Sequence, residues 1–263
     1  MLRRLLIALL LLASTPAAAQ TAAEKALLEA AGERGRLLFE LDRAAWVTTD
    51  DMLERIGRRD IPIKGWVVER DGAEAYRVTY FGDGPAGPVA WYSGSVRSGK
   101  VISAEVFPEA ARPPLTAAQL RLKQAADAAR GFTEYRPCTP ARFNLALVPP
   151  DSPEAPVEAY LLSAQTETAV YPLGGHYRLR IGPGGEVLSH RRFMNSCMNV
   201  DTSDTGDGAK AAALVLTHLL DPVPTEIHVW SSLAMRKPIF VGTTEPHRIW
   251  AVDGERIRLV QGK

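Results

Sequence analysis

Alternation of apolar and polar residues dominates the chain, and a few stretches with helical spacing interrupt it. Residues 116–130 are the clearest helix. Thr116 stands where its hydroxyl caps the first turn, Gln119 reaches back from the third helical position, and Leu115 and Leu120 flank them as a hydrophobic staple. Good helix formers run on to Arg130, and Gly131 stands where a left-handed residue closes a helix. Residues 21–31 open in the same way, with Thr21 and Glu24 as a capping box and Gly32 as the expected stop. A short third helix is predicted over 50–56, between Thr49 and Gly57.

Elsewhere the period is two, which predicts strands. Residues 65–70 and 75–81, joined through Asp71-Gly72, read as a hairpin. Residues 88–96 and 100–107 extend it into a meander that turns at Arg97-Ser98-Gly99. Further on, 142–148 and 157–164 flank a proline-rich loop, and 176–181 and 186–194 flank Gly182-Pro183-Gly184-Gly185. Strands are also predicted at 226–233, 239–243, 248–252 and 256–260, the last pair turning at Asp253-Gly254. Residues 210–220 send both signals. Their alanines favour helix, but Leu214-Val215-Leu216-Thr217 between strand-like neighbours favours strand, which is the preferred reading.

The expected fold class is therefore α+β, predominantly antiparallel β-sheet with two main helices packed on it. Each half begins with a Thr-Ala-Ala capping segment followed by antiparallel strands, which suggests two related α+β subdomains, 20–112 and 113–263, set against coincidence of common capping residues. Residues 108–114, ending in Pro113-Pro114, form the expected boundary.

Composition adds a compartment. Arg3-Arg4 precede an uncharged apolar run, Ser14-Thr15-Pro16 break it, and Ala17 and Ala19 are small residues before Gln20, so residues 1–19 read as a cleavable signal peptide. The run is far below the roughly 20 residues needed to cross a bilayer, so no stable membrane anchor is expected after cleavage. Few lysines, many arginines, alanines and prolines suggest a GC-rich bacterial genome, and with the export signal the expected location is the periplasm. Residues 1–19 hold two arginines and no acid, so cleavage takes the formal charge from +1 to −1. A near-neutral surface has no long-range field to attract nucleic acid. In an oxidising compartment the two cysteines, Cys138 and Cys197, are expected to form a disulfide bond.

Catalytic signatures are absent: there is no His-Glu-x-x-His, Gly-x-Ser-x-Gly, Ser-x-x-Lys, Walker loop or dinucleotide fingerprint. Asp201, Asp204 and Asp207 are spaced unlike a calcium loop and read as a polar surface loop. One pattern has chemical potential. All five histidines follow residue 175. Strand spacing places His176, Arg178 and Arg180 on one face, and Gly174-Gly175 leave room for another backbone or a ligand. If the strand with His218 pairs with one carrying His228, then His176, His218 and His228 converge beside Glu226. Three imidazoles would bind zinc, with Glu226 as ligand or general base of a metal-dependent hydrolase. The competing reading is that these are core histidines satisfied by backbone groups. Arg178 and Arg180, with Arg191 and Arg192, form a candidate anion-binding patch, set against the preferred reading of solvated side chains on an exposed sheet face. Trp66, Tyr76, Tyr80, Trp91 and Tyr92 form a candidate stacking platform, with core packing as the preferred reading. The favoured expectation is an exported envelope binding or interaction module without a cofactor, acting through an exposed sheet face or edge on an envelope protein, peptide or polysaccharide. The alternative is the zinc hydrolase.

Overall fold

The structure, a computed structural model, describes residues 20–57, 61–203 and 212–260. The signal peptide expected over 1–19 and the greater part of the loop 201–207 lie outside these residues, as do 210–211 of the ambiguous segment. Three helices and fourteen strands make up the described residues, in four sheets with mostly antiparallel pairing, so the α+β class holds.

The first helix corrects the sequence reading. The stretches 21–31 and 50–56 are the two ends of one helix, α1 (Ala22–Ile56), which begins at the expected Thr21–Glu24 capping box and ends at Gly57 in a positive-φ conformation. Gly32 does not stop it. A Cβ at Gly32 would sit 2.8 Å from the Glu255 carbonyl oxygen, and one at Gly35 would sit 2.6 Å from the Glu226 carbonyl oxygen and against the Val229 side chain. These glycines are a close-approach surface inside the helix, and packing across it outweighs the roughly 1 kcal/mol per residue that glycine costs there.

Strands β1 (Gly65–Arg70), β2 (Ala75–Gly84), β3 (Gly87–Arg97) and β4 (Lys100–Val106) form the expected antiparallel meander. Ser98 and Gly99 both have positive φ, as the tight turn between β3 and β4 requires. Leu41, Ala44, Ala45 and Met52 of α1 bury against Val68, Val78, Tyr80, Tyr92 and Val96. The aromatic residues are therefore divided. Tyr80 and Tyr92 are core, with their hydroxyls donating to the Ala45 carbonyl (2.7 Å) and the Asp51 carboxylate (2.6 Å). Trp66 and Tyr76 are half-buried against this cluster, and Trp91 lies under the Arg112 guanidinium.

Helix α2 (Ala117–Gly131) has the Thr116–Gln119 capping box that its sequence predicts. Gly131 is its last helical residue rather than a left-handed cap, and Phe132 follows in extended conformation. Leu122, Ala125, Ala126 and Ala129 pack on one face of a second antiparallel meander, order β5-β6-β8-β9, made of β5 (Asn144–Val148), β6 (Val157–Leu162), β8 (Tyr177–Ile181) and β9 (Val187–Arg192). The strand β7 (Val170–Pro172) leaves this meander to pair with β10 (Asn199–Asp201). The opposite face of the meander carries Ala146, Tyr160 and Leu162, which meet Leu38 of α1.

The last sheet holds the second correction. Its order is β11 (Leu214–His218), β12 (Ile239–Thr244), β13 (His247–Asp253) and β14 (Arg256–Leu259). The preference for strand in 210–220 is met by β11, but β11 runs parallel to β12. Parallel neighbours need a crossover connection, and the predicted strand 226–233 is that crossover, helix α3 (Glu226–Met235). Residues 226 to 232 are buried all round, so no polar face marks a helical period, and Ile227, Val229 and Trp230 favour strand by propensity. Tertiary burial decides otherwise. Helix α1 thus packs on elements from both sides of residue 112, including α3 and the C-terminal sheet through Leu28.

The glycine surface makes a direct prediction. Gly35→Ala is expected to destabilise the fold by about 2 kcal/mol, because the new methyl meets backbone and a β-branched side chain that cannot retreat. Gly131→Ala, with nothing within 4 Å of its Cβ, should be neutral or gain a few tenths of a kcal/mol. Urea midpoints of the two variants measure the difference; equal midpoints would remove the close-packing account.

Candidate functional site

The structure brings two of the three candidate histidines into contact. His218, at the end of β11, and His228, in the first turn of α3, are nearly perpendicular with ring centroids 4.7 Å apart. His218 places Nε2 2.9 Å from Oδ2 of Asp221, and the same oxygen accepts from Arg191 Nη2 at 2.8 Å. Burial pushes the Asp221 carboxyl up, but the His218 and Arg191 partners outweigh it and hold it below the usual range. His228 Nδ1 accepts the Thr225 backbone N–H at 3.0 Å, which places the ring proton of the neutral form on Nε2. That nitrogen is buried and has no hydrogen-bond partner among the described residues. Burial, with His218 alongside, depresses His228 to about 3.

His176 is engaged differently. It precedes β8, is fully buried, accepts the Ser163 N–H at Nδ1 (3.1 Å) and meets the Pro172 carbonyl with Nε2 (3.1 Å). Its ring stands edge-on to Trp230 at 5.3 Å. Burial depresses it to about 4. Glu226, expected beside the imidazoles, opens α3 and takes the Tyr160 hydroxyl (3.1 Å) and Arg178 Nη1 (3.3 Å). No group of three His, Cys, Asp or Glu among the described residues is placed to hold a metal ion. The arrangement suits structural imidazoles: one ring has both nitrogens bonded, and another is tied to a carboxylate.

The arginines separate by face. Arg178 lies opposite Arg191 in the β8–β9 ladder, while Arg192 lies opposite Tyr177 on the other face. Arg178 is held by Glu226 and lies 3.9 Å from Glu158, which pairs with Arg34 of α1 at 3.0 Å. Arg191 is held by Asp221. Arg180 is exposed. The expected four-arginine patch is therefore divided between two internal ion-pair networks and solvent.

Two participants escaped the sequence reading. Asp221 was visible as the third residue after His218, but its role needs Arg191, 30 residues away. Asp42 of α1 carried no motif; burial raises its carboxyl to about 6, with the Trp230 indole pulling the other way.

Concavity lies elsewhere. A cleft of about 1100 Å³ runs along α1, between the β1–β2 and β3–β4 turns and the C-terminal end of α3. Six basic and four acidic residues line it. Arg43, Arg70, Lys100 and Arg236 make no ion pair among the described residues, and neither do Glu33 and Glu74. A second cleft, about 580 Å³, lies where the segment after α2 meets β8 and β9. His176, His218, His228 and Glu226 line neither. In comparisons with known proteins, no family model matches the chain, and no curated protein or solved structure matches it either.

Proposed function

We propose that this protein is an exported envelope binding module that holds an extended, mixed-charge peptide in the cleft along α1. The carrying observation is that cleft. Its volume, about 1100 Å³, is at the upper end for a small-molecule pocket. Its walls present both unpaired cations, such as Arg70 and Arg236, and unpaired carboxylates, such as Glu33 and Glu74. Such a lining favours a ligand with alternating charge and opposes a uniformly charged polymer. The signal-like N-terminus and the cystine favour the periplasm as the place where this happens. The buried histidines then serve the scaffold.

The test is fluorescence anisotropy with a labelled decapeptide of alternating Lys and Glu, against a Gly/Ser decapeptide. The charged peptide is expected to bind at least tenfold more tightly. Its advantage should shrink when salt is raised and disappear in the double variant Arg70→Glu, Arg236→Glu. Equal binding of the two peptides, or an unchanged double variant, sinks this reading.

A further inference from the structure

We propose that the second cleft is a binding site for an acidic sugar, separate from the peptide cleft along α1. The site is assembled around Tyr177. Its hydroxyl oxygen accepts the Arg136 backbone N–H at 2.8 Å, and its ladder partner on β9 is Arg192, which therefore rises from the same face. One buried ring thus fixes the origins of two guanidinium side chains, from segments far apart in sequence. Both are exposed and make no ion pair among the described residues, unlike Arg191 beside them, whose charge is met by Asp221. Both line the cleft.

Tyr135 supplies the apolar wall. It is 36% exposed, yet its ring is held edge-on to Phe143 at 4.9 Å, so stacking on it costs little side-chain freedom. Glu134, 4.0 Å from His190, adds an acceptor for hydroxyl groups. The rim is fastened two residues beyond Arg136, where Cys138 is bridged to Cys197. Paired guanidiniums recognise a carboxylate, an aromatic ring takes the C–H face of a pyranose, and a carboxylate takes its hydroxyls. About 580 Å³ is room for one or two such rings. A uronic acid satisfies all three features at once.

Calorimetric titration with digalacturonate and with the neutral digalactose tests this. The acidic disaccharide is expected to bind at least tenfold more tightly. Arg136→Gln with Arg192→Gln should bring it down to the neutral sugar, and Tyr135→Ala should weaken both by about tenfold. Arg180→Gln, on the opposite face of β8, should change nothing, and thermal melts of each variant show that the fold is kept. The double variant Arg70→Glu, Arg236→Glu should retain sugar binding, so failure of the peptide reading leaves this one standing. Equal affinity for the two sugars overturns the proposal. So does no binding of either sugar at about 10 mM, and direct binding of benzoate in that case would mark the cleft as a site for aryl acids instead.

Discussion

Acidification from about pH 7 to about pH 4.5 is expected to remove several kcal/mol of stability, chiefly through two histidines. His176 and His228 are depressed to about 4 and about 3 in the folded state by burial, against 6.5 for an exposed imidazole. Both are neutral in the fold, and the unfolded chain takes up their protons first. Their contribution is complete above pH 6.5 and is lost as pH falls toward the folded values. At 1.36 kcal/mol per pH unit the full losses are about 3 and about 5 kcal/mol, of which roughly 2 to 3 each are gone by pH 4.5. Asp42 acts in the opposite direction. Its carboxyl is raised to about 6 by burial, so the fold binds a proton before the unfolded chain does, returning part of the loss below pH 6. Two histidines outweigh one aspartate. The measurement is urea unfolding at several pH values for the parent and for His176→Asn, whose amide can still accept the Ser163 N–H. The variant should be less stable at pH 7, and its fall between pH 7 and 4.5 should be shallower by about 2 kcal/mol. Identical pH slopes would show that His176 does not titrate as a buried neutral ring.

Removing the disulfide is expected to cost about 4 kcal/mol, the chain-entropy value for a bridge spanning 59 residues. Cys138 and Cys197, with Cα atoms 5.3 Å apart, tie the segment after α2 to the chain just before β10. The contact is tightly built. Gly175 has positive φ, and a Cβ there would lie 2.7 Å from Cys138 Sγ; a Cβ at Gly174 would meet the Ser196 carbonyl. The glycine pair that in the sequence invited a close neighbour has a backbone and a cystine for that neighbour. In the double variant Cys138→Ser, Cys197→Ser the urea midpoint should fall accordingly, and the melting temperature by roughly 10 °C. If the proposed export holds, expression of the full chain should yield periplasmic protein that begins at Gln20 and contains no free thiol. Free thiols in that material, or an unchanged midpoint in the double variant, would contradict this account.

Local chemistry was sufficient for much of the architecture. Thr21 with Glu24 and Thr116 with Gln119 start α1 and α2 because a cap needs only residues within one turn. The β3–β4 turn was legible for the same reason, and in a chain with two cysteines a disulfide within the chain has one possible pairing. Other features depend on residues distant in sequence, and the tertiary structure decided them. Gly32 reads as helix-stopping until the Glu255 backbone is known to lie against it. Segment 226–233 reads as strand until its burial on every side and the parallel β11–β12 pair make it part of a crossover helix. Asp221 acquires Arg191, Glu226 acquires Arg178, and Arg192 comes to rest opposite Tyr177, through pairings that no spacing along the chain encodes. Caps and turns are local free-energy minima, whereas side-chain partnership is set by which surfaces burial forces together.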